Sequence, residues 1–159
     1  MINAGDTSDH DDPFDLGRFA SAQKDIYEQV LSELRNGRKR THWMWYIFPQ
    51  IDGLGTSATT KRYAIKSSEE ARHYLKHPVI GSRLRVCAEA VLAVEGRSVA
   101  EIFGHPDDRK LQSSMTLFAS AADPGSEFAR VLDKYFHGER DVRTLTLLEH
   151  LKERVGERQ

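Results

Sequence analysis

The chain has a single cysteine, Cys87, so an internal disulfide is excluded and a reducing compartment is the natural home. It has no apolar run near the roughly 20 residues that a membrane-spanning helix needs. A basic-then-apolar signal pattern is missing from the N-terminus, and the expectation is a cytoplasmic protein without a membrane partner. An excess of charge of one sign is missing too. Lysine plus arginine number 23 against 24 acidic residues, a formal net charge of −1, so bulk attraction to nucleic acid or to anionic lipid gives no argument and any such binding needs a local patch. After residue 66 no apolar–polar alternation of the kind that marks strands occurs, and no fixed-period repeat is found. Neither H-E-x-x-H, nor a paired Cys/His motif, nor G-x-S-x-G is present, which leaves zinc-hydrolase and serine-hydrolase chemistry without an anchor.

What remains is the pattern of a helical domain. At 159 residues, with 39% apolar and 30% charged, the chain is long enough to bury a continuous core under a heavily charged surface. Residues 1–12 hold four aspartates, no lysine or arginine and little to bury. They are expected to form a disordered acidic tail, with residues 13–159 as a single helical domain. Leu16, Phe19, Ile26, Tyr27, Val30, Leu31 and Leu34 recur at helical spacing up to Asn36-Gly37, predicting one long helix. The segment 41–51, THWMWYIFPQI, is apolar on all sides and reads as a short buried helix; residues 56–66 read as loop with a turn of helix. Ser67 with Glu70, and Ser98 with Glu101, fit the capping box. Pro78, Pro106, Pro124 and Asp141 introduce further helices, with Gly96 and Gly138 as stops. The fold class predicted is all-α, with six or seven helices.

Several motifs suggest chemistry, and each has a plain structural alternative. Gly53-Leu54-Gly55-Thr56-Ser57-Ala58 spells the G-x-G-x-x-A dinucleotide fingerprint, but that fingerprint requires a parallel strand unit which the following residues do not promise; the alternative is a two-glycine turn. His73 and His77 stand four apart on one helical face, a spacing that can share a metal, yet no third ligand suggests itself and no metal is assigned. Cys87 lies on the apolar stripe of Leu84 and Val91, where a thiol acts as a small hydrophobe. Arg35, Arg38, Lys39 and Arg40, with Lys61 and Arg62, form the one basic cluster. It adjoins Trp43, Trp45 and Tyr46, and cations beside aromatic faces hold phosphate and stack bases, while the alternative is a helix-end charge cluster followed by core. The segment also carries His42, two indole donors, a phenol and Gln50, and such density of polar groups beside rings is what small-molecule pockets use.

The blocks RKRTHWMWYIFPQIDGLGTSATTKRYAI, residues 38–65, and DRKLQSSMTLFASA, residues 108–121, carry a family resemblance. From about residue 13 to 150 the chain resembles the bacterial family designated domain of unknown function 1810, some members of which bear the label calpastatin. The resemblance implies a mainly α-helical fold. It brings no activity. The calpastatin label implies inhibition of a calcium-dependent protease, but true inhibitory segments of that kind are disordered repeats, unlike this chain. The family's characteristic positions here are His42, Trp43, Trp45, Phe48, Pro49, Gln50, Gly53, Gly55, Ser57, Tyr63 and Ala64, then Lys110, Ser113, Met115 and Phe118.

The leading expectation is a pocket that binds or hydrolyses a nucleotide-like or other phosphorylated metabolite without a cofactor. Trp43, Tyr46 and Tyr63 would line it, with Gln50, Ser57 and Ser113 as further polar contacts and Arg40 or Lys110 neutralising the anion. His42 would be the general acid or base, oriented by Asp52, Asp108 or Glu101 if the fold brings one close. The alternative is a non-catalytic protein-interaction module with an unspecified partner, in which the aromatic block is core. Binding of single-stranded nucleic acid through the basic cluster is the weakest reading.

Overall fold

The computed structural model describes residues 11–158, with side chains described through Leu151. The expected tail falls mostly on residues 1–10, outside this range. Asp12, assigned to that tail, accepts the amides of Leu16 at 2.6 Å and Gly17 at 2.8 Å and so caps the first helix.

Ten helices succeed one another among the described residues: α1 (Gly17–Gln23), α2 (Tyr27–Arg35), α3 (Met44–Ile47), α4 (Ala58–Tyr63), α5 (Ser68–Lys76), α6 (Ile80–Ala93), α7 (Val99–Phe103), α8 (Asp107–Ala121), α9 (Glu127–Phe136) and α10 (Val142–Arg158). The all-α class stands, and the count is ten rather than six or seven. Two departures from the predicted pattern account for much of the difference. The long first helix is divided at Lys24–Ile26, where Gln23 occupies a core-facing position of the apolar stripe and is buried. Its amide donates to the Tyr46 carbonyl at 2.7 Å and to the Tyr74 hydroxyl at 3.2 Å, so tertiary partners override the continuous stripe. Residues 56–66, read as loop with a turn of helix, hold the six-residue helix α4, which Ser57 caps by accepting the Thr60 amide.

The core is organised around α8. Leu111 and the unbroken run Ser113–Ala119 are buried, because α5, α7, α9 and α10 all pack on this helix. Serines and alanine among these residues let the neighbouring helices approach closely. Tyr74, Phe118 and Phe128 form one continuous aromatic contact, with centroids 5.1 and 5.8 Å apart. Trp43, Phe48 and Phe103 form a second cluster at 6.0–6.4 Å. At the α5–α6 corner Gly81 lies against the end of α5, where an added Cβ would stand 2.8 Å from the Tyr74 carbonyl oxygen and meet that of Leu75. Only glycine admits this approach.

Local signals behave as their chemistry demands, with one variation. Ser98 and Glu101 form the reciprocal capping box. Ser67 accepts the Glu70 amide at 3.0 Å, but the Glu70 carboxylate turns to the Lys66 amide at 2.8 Å and to Arg18 at 2.7 Å. The Arg18 guanidinium also donates to the carbonyls of Phe14, Asp15, Arg62 and Ala64, stitching the start of the domain to the α4–α5 connection. No helix among the described residues is long and apolar enough to cross a membrane.

Candidate functional site: a cationic cleft at the start of α8 and α10

A cleft of about 260 Å³ opens where the loop before α4 faces the first turns of α8 and α10. Its wall carries three cations, Arg109 and Lys110 from α8 and Arg143 from α10, with Gln50, Thr60, Gln112 and Ser113 as neutral polar groups and Leu54 and Pro106 as apolar ones. Among the described residues neither guanidinium has an ion-pair partner, and Lys110 reaches only Asp107, at 3.6 Å. The carboxylate in the wall, Asp141, is occupied: Oδ2 accepts from the Thr144 amide at 3.0 Å, the Thr144 hydroxyl at 2.5 Å and Ser113 Oγ at 3.2 Å, capping α10. Amides at both helix starts are taken up by carboxylates, that of Thr144 by Asp141 and that of Arg109 by Asp108 Oδ1 at 2.8 Å, so the groups left to attract an anion are the three side-chain cations.

A second, much smaller hollow of about 10 Å³ adjoins the cleft and shares Gln50 and Thr60 with it; Trp45, Ile51, Tyr63 and Ala64 complete its wall. Lys110 stands 5.3 Å over the Trp45 ring, linking the two spaces by a cation–π contact. The Gly53–Ala58 loop contributes Leu54 and Gly55 to the cleft. Among the described residues the only β pairing is an isolated parallel bridge between Ile51 and Ile65, so no nucleotide-binding sheet surrounds the glycines. Gly55 is required instead by Thr60, whose methyl would stand 2.6 Å from an added Cβ.

Of the catalytic and ligand-binding candidates named from the sequence, Gln50, Lys110 and Ser113 meet in the cleft, and Tyr63 joins them through the small hollow. The others lie elsewhere. Trp43 is buried, with its indole N–H donating to Glu33 at 3.0 Å. Tyr46 packs on Tyr63 at 5.3 Å and donates to the His42 carbonyl at 3.3 Å. Ser57 is consumed as the cap of α4. Arg40 and His42 are exposed and border neither space. Each carboxylate that could have oriented His42 has another partner: Asp52 pairs with Lys66, Asp108 with His105, and Glu101 closes its capping box.

Within the basic cluster at the end of α2, Lys39 has a structural role, while Arg35, Arg38 and Arg40 are exposed. Lys39 is bonded to Asp107 at 2.9 Å and to the Thr41 carbonyl at 2.6 Å, and sits over the Trp43 ring. Beneath it Glu33, buried at 6% exposure, accepts the Arg40 and Thr41 amides, the Thr41 hydroxyl, the Trp43 indole and the Gln29 amide. Burial pushes this carboxyl up, but the bonds from Thr41, Arg40 and Trp43 outweigh it and hold the pKa at about 2.

The histidine pair has an equally local account. His77 Nδ1 accepts the amides of Val79 at 3.1 Å and Ile80 at 3.3 Å, which leaves the ring proton on Nε2. A ring in that state offers no lone pair at Nε2 to a metal, and His73 stacks on Phe14 at 4.8 Å. Among the described residues no group of three or more His, Cys, Asp or Glu side chains could hold a metal ion. Cys87 is fully buried, and desolvation pushes its thiol up to about 12.

Arg109 and Arg143 escaped the sequence reading. Arg109 sits beside two residues that were singled out, and the preference of a helix N-terminus for anions made consecutive cations at positions 109–110 a usable signal. Arg143 comes from another helix, and nothing in its local sequence points to the cleft.

Comparison with known proteins places these features in a family. The solved crystal structure of the conserved hypothetical protein Rv1873 from Mycobacterium tuberculosis is 55% identical, with a TM-score of 0.85 over 86% of this chain and 98% of that one. No curated protein matches the chain. The model of the family described as "Protein of unknown function (DUF1810)" matches residues 13–148, and the chain belongs to that family.

Proposed function

We propose that the protein binds a small phosphorylated molecule in the cleft between α4, α8 and α10. The observation that carries the reading is the convergence of Arg109, Lys110 and Arg143 on one concavity whose single carboxylate, Asp141, is engaged by Thr144 and Ser113, so that cations outnumber anions along the wall. Cations at a helix start oppose the dipole; Asp107, Asp108 and Asp141 offset part of that charge, and an anion in the cleft would offset more of it. Phosphate oxygens accept from guanidinium forks with matched geometry, which suits two arginines better than a carboxylate-sized site would need. His42, remote from the cleft wall, has no part in this reading, and Trp43 contributes only through the core.

The test is thermal unfolding with orthophosphate and a set of phosphorylated metabolites, on the wild type and on Arg109→Ala, Lys110→Ala and Arg143→Ala. A ligand at about 100 times its Kd adds roughly 2.7 kcal/mol, which for a domain of this size raises Tm by about 5–11 °C. Each alanine variant should keep its own melting point within a degree or two while losing most of that rise. Shifts that survive all three substitutions would place the ligand elsewhere and overturn the proposal.

A further inference from the structure

We infer that the phosphorylated ligand is a sugar or polyol phosphate and not a nucleotide; the inference rests on the anion-binding reading above and names its substrate class. Base recognition draws much of its energy from stacking on an open aromatic face beside the phosphate cations. Here the cationic cleft itself contains no aromatic side chain. Trp45 and Tyr63, the rings nearest to it, border only the small hollow, whose volume of about 10 Å³ is on the order of one water molecule. The ring surfaces are also engaged. Lys110 lies over Trp45 at 5.3 Å, while Tyr63 is held by Tyr46 at 5.3 Å, Phe19 at 5.9 Å and the Arg62 guanidinium at 5.5 Å. A base stacking on the Trp45 face that Lys110 covers, or on Tyr63 where Tyr46, Phe19 and Arg62 lie against it, would displace these contacts.

The same wall suits hydroxyl groups. Gln50, Thr60, Gln112 and Ser113 place amides and hydroxyls around the cations, and Leu54 and Pro106 offer the apolar surface against which the C–H face of a sugar packs. Gln50 stands at the junction of cleft and hollow, and among the described residues its side-chain amide has no hydrogen-bond partner. By contrast, Gln23 and Gln112 are both bonded, the latter to the Glu139 carbonyl at 3.0 Å. An amide offering both a donor and an acceptor, beside a hollow that admits one water-sized group, reads a hydroxyl that projects from the ligand.

The experiment is calorimetric titration at fixed ionic strength with orthophosphate, glycerol 3-phosphate, ribose 5-phosphate, glucose 6-phosphate and AMP, on the wild type, Gln50→Ala and Lys110→Ala, each checked for native circular dichroism. At least one of the three sugar or polyol phosphates should bind tenfold or more tighter than orthophosphate, with AMP no tighter than ribose 5-phosphate. Gln50→Ala should remove that tenfold advantage and leave orthophosphate affinity unchanged, whereas Lys110→Ala should weaken every phosphate. AMP binding tenfold tighter than ribose 5-phosphate, or orthophosphate equal to all the others, with Lys110→Ala still damaging, would overturn the sugar assignment and leave the anion site standing. No binding by any of the five, or binding indifferent to Lys110→Ala, would remove the site and the sugar assignment together.

Discussion

Replacing Glu33 by glutamine tests how the aromatic block is held. Glu33 is buried and collects five donors from Gln29, Arg40, Thr41 and Trp43. Its pKa of about 2 against an ordinary 4.5 corresponds to roughly 3 kcal/mol of stability at 1.36 kcal/mol per unit. The sign follows from the direction of the shift. A depressed carboxylate contributes fully above the unfolded value near 4.5, and the contribution is lost as pH falls toward 2, with roughly half left at pH 3. Glutamine keeps the shape but removes the charge, and it turns an N–H₂ group toward donors that need an acceptor. At pH 7 the variant should unfold about 3 kcal/mol more easily, a fall in Tm of about 6–12 °C. Urea titrations of both proteins between pH 7 and pH 3, followed by tryptophan fluorescence, measure the difference directly. It should shrink on acidification; a difference that is constant with pH, or below about 1 kcal/mol at pH 7, would refute the assignment of Glu33 as the charged anchor of residues 40–43.

Three other outcomes are expected. Gly81→Ala drives a methyl into the Tyr74 and Leu75 carbonyls, and overpacking against backbone should cost about 1–3 kcal/mol in denaturant unfolding, with exposed Ser82→Ala as the neutral control. Arg18→Ala leaves Glu70 buried without its partner, a loss of about 3–5 kcal/mol that calorimetry would detect. Cys87, buried and with its thiol raised to about 12, should react with a thiol reagent at pH 8 only as fast as the protein opens, so labelling in the native state should be slower than in urea by several orders of magnitude.

The helical class was legible because its signals are local: the caps at Ser98 and Ser67 and the stripes of α6 and α9 need only neighbours a few residues away. The break at Lys24–Ile26 was not, because it depends on Tyr46 and Tyr74 meeting Gln23. Residues 43–46 show the same limit within one short segment. Trp43 and Trp45 are equivalent by composition, yet one is sealed in the core over Glu33 and the other borders the surface under Lys110. A stretch apolar on every side carries no phase that would tell them apart. Gln50 was singled out by the density of polar groups among the rings and Lys110 and Ser113 through the family-typical block 108–121, whereas Arg143 reaches the same cleft through the way α10 packs on α8, which no local pattern encodes.

The all-round burial of α8 has a consequence for how occupancy of the cleft would be sensed. The α8 residues Ser113–Ala119 are buried among four other helices, α10 included, whereas residues 52–60, the rim across the cleft, are exposed or half-buried and have more freedom to adjust. A ligand bridging the two should slow amide hydrogen exchange along that rim and leave α8, already near the global opening limit, almost unchanged. The rate at which the rim opens, rather than any rearrangement of the helix beneath it, would then set how quickly the ligand departs.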